Sequence, residues 1–135
     1  MKKIIISGLV AGVVLLILSI IGLYITLWFL PDIAMQYFNP AFNDQSKRYI
    51  IYIIHPFIIS FALSWFWSRF RTSLKGSFIT RGIEFGLIYM IISVVPFMLM
   101  LYSTIDVSLA MLGTWFVFGA MQGFISGLVF GKMNP

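Results

Sequence analysis

Cysteine is absent from this chain and ionisable side chains are few, so several classes of function are excluded at once. Without cysteine there is no disulfide bond, thiol nucleophile, iron–sulfur cluster or thiolate metal site. One histidine and four acidic residues leave too few ligands for a convincing metal site, and no second histidine for haem. The chain also has no phosphate-binding loop, nucleotide motif or paired nucleophile and base. We therefore expect no cofactor, and the balance favours a protein that is not an enzyme.

The chain consists mainly of long apolar runs. Hydrophobic residues make up 61% of the sequence and charged residues only 10%. The four runs are residues 4–30, 49–70, 82–102 and 108–131. Each reaches the roughly 20 residues that a helix needs to cross a hydrocarbon core of about 30 Å. The runs lack the polar–apolar alternation of barrel strands, and a helix satisfies its own backbone in lipid. The sequence predicts one all-α integral membrane domain with four transmembrane helices.

The basic residues are distributed unevenly between the two sides of this predicted bundle. One side holds Lys2, Lys3, Arg69, Arg71, Lys75, Arg81 and Lys132. The other side holds only Lys47 and Arg48. By the positive-inside rule, this predicts cytoplasmic N- and C-termini and an antiparallel up-down bundle. The net charge of +5 is then a topology signal, and we expect no nucleic-acid partner. We expect a multi-pass protein of the prokaryotic cytoplasmic membrane.

The connecting segments differ in character. Residues 31–48 form the longest loop, where Tyr37, Phe38 and Phe42 suit an interfacial segment on the outer surface. Residues 69–81 form a basic cytoplasmic loop, and its cations are expected to contact lipid headgroups. These cations are Arg69, Arg71, Lys75 and Arg81, with Trp65 and Trp67 as an aromatic belt. In the short outer hairpin of residues 103–107, Ser103 and Asp106 have the spacing of a capping box for the fourth helix.

Small residues recur at helical spacing in every predicted span. The fourth span has a glycine at every fourth position, a pattern that lets another backbone approach closely in a membrane. The predicted packing residues are Gly8, Gly12, Ser60, Ser64, Ser68, Gly82, Gly86, Gly119, Gly123, Gly127 and Gly131. With the predicted topology, most of them share the cytoplasmic half, while bulky aromatic residues dominate the outer half. We expect a glycine zipper, tight packing at one end and a splayed outer half. The glycine face could serve packing within one chain or a homo-oligomer.

A few polar groups fall inside the predicted spans and form a candidate intramembrane polar site. They are His55, Glu84 and Gln122. Pro56 and Pro96 fall at matching levels, where they would kink their helices and release carbonyls that His55 could bond. A small pocket open to the outside is therefore expected near His55 and Pro96.

Ordinary structural contacts are expected for the other two polar groups. Glu84 is close enough in sequence to pair with Arg81, Arg69 or Arg71, and it should not form a dyad with His55. Gln122 is expected to hydrogen-bond across helices.

Three functions remain open after these exclusions. The leading prediction is a non-catalytic helix-packing subunit or assembly partner, which the glycine and serine rows favour. The first alternative is a small homo-oligomeric channel or transporter that uses the polar residues along its path. The second is a lipid-pocket protein or lipid-active enzyme with a hydrophobic ligand in the splayed half. Membrane lipids, copies of the chain or another membrane protein are the expected partners.

Overall fold

A computed structural model describes residues 1–37 and 49–135, and every regular element in these two ranges is helical. The elements are α1 (Lys2–Phe29), α2 (Pro31–Tyr37), α3 (Tyr49–Phe70), α4 (Phe78–Tyr89), a π-helical turn (Met90–Val94), α5 (Val95–Thr104) and α6 (Leu109–Met133). The predicted interfacial residues Phe38 and Phe42 lie outside the described residues, as do Lys47 and Arg48.

Four of these helices are long and apolar enough to cross a membrane, as the sequence predicts. They are α1, α3, the continuous segment Phe78–Thr104 and α6, with mean hydropathy between 1.4 and 3.0 in their most apolar windows. Much of their apolar surface is exposed in the isolated chain, which lipid would cover. The composition and the helices together indicate an integral membrane protein.

Two serine caps decide where the last two long helices begin. The segment Phe78–Thr104 begins four residues before the predicted bound because Ser77 accepts a hydrogen bond from the Thr80 amide at 3.2 Å. For α6 the cap is Ser108, whose Oγ accepts from the Met111 amide at 3.2 Å. The predicted capping box of Ser103 and Asp106 is therefore wrong. Ser103 still belongs to α5, and its hydroxyl donates to the Met100 carbonyl at 2.8 Å.

Helices α1 and α3 pack through small residues near the N-terminus of α1. The hydroxyls of Ser7 and Ser64 lie 2.8 Å apart, and both residues are buried. Ser64 also donates to the Ile4 carbonyl at 2.8 Å. A Cβ built on Gly8 would lie 2.7 Å from the Phe61 ring, so the close approach requires glycine there. These contacts tie the first two long helices together over the half that includes the N-terminus.

Helices α4 and α6 approach even more closely, backbone against backbone. A Cβ built on Gly82 would lie 2.9 Å from the Leu128 amide nitrogen, and one on Gly127 would strike the Gly82 carbonyl oxygen. The same holds at Gly131, where the Phe78 carbonyl oxygen would be 2.8 Å away. The glycine face of α6 is therefore covered by the preceding helix of the same chain.

Three buried aromatic residues, here called the aromatic cluster, join the two helix pairs. They are Trp67, Phe85 and Phe130, with ring centroids 5.3 to 6.1 Å apart. The Trp67 indole N–H donates to the Asn134 carbonyl at 2.8 Å, and the residue is fully buried. The predicted place of Trp67 in an aromatic belt is therefore wrong, because its ring faces α6 rather than the surface. Trp65 is exposed, and the Arg69 guanidinium lies 5.5 Å from its ring centroid.

Burial is concentrated at the end of the molecule where Met1, Arg71 and Asn134 meet, here called the basic end. The aromatic cluster and the serine and glycine contacts lie in this half. In contrast, α5 contributes no buried residue in the other half. The predicted contrast between one tight end and one splayed end is confirmed in the described residues.

Candidate functional site

A cavity of about 750 Å³ lies between the long helices in the half away from the basic end. This volume is within the range of small-molecule sites in proteins. Its polar lining consists of Ser19, Thr26, Tyr37, Tyr52, His55, Tyr89, Ser93 and Gln122. Its apolar lining includes Leu23, Pro56, Ile59, Val94, Phe97, Met98, Leu101, Trp115 and Phe118. The pocket predicted near His55 is present; Phe97 lines it, whereas the neighbouring Pro96 does not.

The cavity follows from how the helices pair. Helices α1 and α3 pack closely, as do α4 and α6, and α1 also packs along α6. Helix α3 has no comparable backbone packing against the segment Phe78–Thr104, which it meets through the aromatic cluster. The space between α3 and this segment therefore widens away from the basic end, with Ile59, Tyr89 and Gln122 among its lining residues.

A π-helical turn shapes one wall of the cavity. Within Met90–Val94 the helix is wider than an α-helix, and the Val95 amide donates to the Met90 carbonyl five residues back. Pro96 follows at once, and its ring blocks the normal bond to the carbonyl four residues back. The turn brings Ser93 and Val94 into the lining. The irregularity predicted at Pro96 thus lies just before it, whereas α3 continues as one α-helix through the buried Pro56.

His55 and Gln122 lie at the same level of the molecule. His55 precedes Trp67 on α3 by the same number of residues as Gln122 precedes Asn134 after α6, about three helical turns. Because Trp67 and Asn134 are hydrogen-bonded to each other, His55 and Gln122 also lie at a common level. Within the described ranges, neither side chain has a hydrogen-bond partner. The predicted cross-helix bond of Gln122 is therefore wrong, as is the predicted bond of His55 to a freed carbonyl. Both side chains line the cavity instead of an interface between helices.

Most other polar groups of the lining already have partners, although the Ser19 hydroxyl has none among the described residues. The Tyr52 hydroxyl donates to the Ser19 carbonyl at 3.1 Å. Ser93 is the hydrogen-bond partner of Tyr89 on the adjacent turn. Among the residues that the structure describes, these bonds leave the side chains of His55, Gln122 and Ser19 free to bond a ligand.

Helix α2 contributes Tyr37 to the cavity lining in the half opposite the basic end. The Tyr37 hydroxyl lies 2.8 Å from the Thr114 hydroxyl, and its ring meets Trp115 edge to face at 6.1 Å. Burial raises the pKa of Tyr37 above its ordinary value, and the bond to Thr114 opposes the shift. A second hydrogen bond joins α2 to the start of α6, where the Ser108 hydroxyl donates to the Gln36 side-chain oxygen at 2.6 Å. Tyr37 is therefore a neutral, anchored part of the cavity wall.

Glu84 is not part of this site, and its predicted ion pair is wrong. It lies exposed in the second turn of α4, and no ion pair to it occurs within residues 1–37 and 49–135. Arg71 donates instead to the Asn134 side-chain oxygen at 2.9 Å, and Arg69 lies against Trp65. Arg71 and Arg69, two of the three predicted partners, are thus engaged by other groups. The expectation that Glu84 and His55 form no dyad agrees with these positions.

The remaining basic-end residues have mixed surroundings. Lys75 is exposed, whereas the Arg81 Nε atom is buried without a hydrogen-bond partner in the described part of the chain. Ser68 donates to the Trp65 carbonyl at 2.7 Å and lines a small recess beside Met1. Of the candidate polar residues in the spans, the structure therefore brings only His55 and Gln122 together.

Most of the lining was missed by sequence reasoning, although helical spacing carried a signal for part of it. Tyr52 and Ile59 lie one turn on either side of His55, and Phe118 lies one turn before Gln122. Such neighbours share a helix face. The contribution of the π-helical turn had no comparable signal in the sequence.

The cavity offers hydrogen-bonding groups between aromatic and aliphatic walls. Among the described residues, no cluster of histidine, aspartate or glutamate could hold a metal ion. No protein-family model, curated protein or solved structure matches this chain. The lining is suited to holding an amphipathic molecule, because polar groups occur at a few points of a mostly apolar surface.

Proposed function

We propose that this protein binds an amphipathic ligand from the bilayer in the cavity between its helices. The supporting observation is a cavity of about 750 Å³ whose polar groups include two without partners in the described chain, His55 and Gln122. An apolar cavity of this size gains packing contacts when a ligand fills it. A resident ligand would supply those contacts and satisfy the two polar groups.

Because of this cavity, we favour the lipid-pocket function over the helix-packing subunit, which is the leading prediction from the sequence. A partner protein or a second copy of the chain would have used the glycine face of α6 only if that face were free. That face is covered by α4 and the following turn, with Gly82 against Gly127 and Val94 against Gly119. A pore through one chain would also have to pass the fully buried aromatic cluster at the basic end.

For the bundle itself we propose an antiparallel up-down arrangement of four helices, held by a glycine zipper between α4 and α6. The excess of cations at the basic end supports cytoplasmic N- and C-termini. The cavity would then open in the outer leaflet of a cytoplasmic membrane. Arg69, Lys75 and the neighbouring cations would face lipid headgroups on the inner side.

Single-cysteine labelling tests this orientation cleanly, because the chain has no cysteine of its own. Lys75→Cys and Asp106→Cys place thiols at exposed positions in opposite connections. In intact cells, a membrane-impermeant maleimide should label Asp106→Cys, whereas Lys75→Cys should react only after permeabilisation. Labelling of Lys75→Cys alone in intact cells would reverse the proposed orientation.

Filling the cavity should displace the ligand without unfolding the protein. Ser93→Phe puts a ring into the lining, whereas Ile92→Phe puts the same ring on the next residue, which is 67% exposed and outside the lining. Native mass spectrometry from a native-like bilayer should find a retained lipid on the parent protein and on Ile92→Phe, with at least tenfold less on Ser93→Phe. Equal retention in both variants, with folding intact, would count against the cavity as the binding site.

A further inference from the structure

We infer that the ligand of this cavity is an uncharged lipid whose head both donates and accepts hydrogen bonds, of the acylglycerol type. This inference rests on the proposed function and narrows it to one class of molecule. It follows from the charge of the lining, from the free hydrogen-bonding groups and from the open side of the cavity.

The charge of the lining selects against charged heads. No aspartate, glutamate, lysine or arginine is among the residues described around the cavity. An ion moved there from water would lose hydration without gaining an opposite charge, which is strongly unfavourable in a low-dielectric site. The cations of this protein lie instead at the basic end, beyond the aromatic cluster. A phosphate, sulfonate or ammonium head would therefore be excluded.

The free polar groups select for a head with both donors and acceptors. An imidazole offers two ring nitrogens for hydrogen bonding, and a primary amide offers two donors and an acceptor oxygen. His55 and Gln122 lie at one level of the cavity, so a single head group can reach both. Tyr52, Tyr37 and the Tyr89–Ser93 pair spend their hydroxyls on the protein itself. A glycerol ester has hydroxyl donors and carbonyl acceptors that complement the two free side chains.

The open side of the cavity selects for an apolar tail. Tyr37 of α2 lines the cavity away from the basic end, and the aromatic cluster lies at the basic end. Because α3 does not pack closely against the segment Phe78–Thr104, the access route that we infer runs between them. Phe97, Met98 and Ile59 line the cavity on the two sides of this gap. A chain leaving here enters the bilayer directly, which lets the tail stay in hydrocarbon while the head is inside.

Quenching of Trp115 fluorescence by brominated lipids tests the inference on the intact protein in detergent. Trp115 lines the cavity, and Trp115→Phe subtracts the signal of the other tryptophans. The probes share one dibrominated acyl or alkyl chain and carry a monoacylglycerol, trimethylammonium or sulfonate head. The monoacylglycerol should quench Trp115 at concentrations at least tenfold lower than either probe of fixed charge.

A second pair of measurements ties the preference to the free amide. Gln122→Leu keeps the approximate size of the side chain but removes its hydrogen bonds, so it should weaken the monoacylglycerol about tenfold. A dibrominated alkane has neither donors nor acceptors, so Gln122→Leu should change its binding less than threefold. A general loss of packing would weaken both probes alike and would contradict the assigned role of Gln122.

The outcomes separate this inference from the proposed function. If a charged probe binds as tightly as the monoacylglycerol, the head-group inference is overturned while a lipid-binding cavity stands. If no probe quenches Trp115 above the Trp115→Phe background, both the inference and the proposed function fail. Selective quenching by the monoacylglycerol that Gln122→Leu removes supports both.

Discussion

Gly127→Leu should lower the free energy of unfolding by about 3 kcal/mol or more, because it drives a branched side chain into the facing backbone. Even one added carbon at Gly127 strikes the Gly82 carbonyl oxygen, and a backbone cannot yield as a flexible side chain can. Helices α4 and α6 would have to separate along their whole contact. Unfolding in mixed micelles of increasing SDS content, followed by helical circular dichroism, measures the loss.

Gly113→Leu is the matched control on the same helix. Among the described residues, nothing lies within 4 Å of a Cβ built on Gly113, so its stability should stay within about 0.5 kcal/mol of the parent protein. Equal losses in both variants would contradict close approach as the cause, because leucine is a better helix former than glycine and propensity alone would stabilise both variants. A changed stoichiometry with a fully stable monomer would instead assign the glycine face to contacts between chains.

Trp67→Ala should be the second severe change, with a loss of about 3–5 kcal/mol in the free energy of unfolding. The substitution removes the largest fully buried side chain and opens a void between Phe85 and Phe130. It also leaves the Asn134 carbonyl without its donor. The same SDS titration measures the loss, and the transition should shift to a much lower SDS fraction.

Trp65→Ala provides the comparison two residues earlier. Trp65 is 54% exposed, and its main contact is the Arg69 guanidinium over its ring. Such an exposed cation–π contact contributes about 0.5–1 kcal/mol, so the loss should not exceed that range. If Trp65→Ala proved as damaging as Trp67→Ala, the two indoles would not occupy the different environments described above.

Features that depend on one segment alone could be predicted from the sequence. The four spans follow from the length of apolar runs, which the bilayer thickness fixes. The tight end follows from small residues at helical spacing, and the pocket near His55 from bulky residues and prolines at the other end. Each of these is a property of a single helix or of its level in the bundle.

Features that depend on the rotation of helices about their axes could not be predicted. Trp65 and Trp67 are two residues apart on α3, so they point to nearly opposite sides, and only one can face lipid. Which one faces lipid depends on where α6 docks. The predicted partners of Glu84 and Gln122 were wrong for the same reason. Closeness in sequence or in level does not fix the direction in which a side chain points.

The hydrogen bond between Trp67 and Asn134 has a consequence for the order of assembly during synthesis. The first two long helices can pair through Ser7 and Ser64 as soon as both are inserted. Trp67 cannot contact Phe130 or bond the Asn134 carbonyl until α6 has left the ribosome. The early hairpin therefore carries an unsatisfied indole while the second half of residues 1–135 is synthesised, and the arrival of Phe130 and Asn134 completes the core.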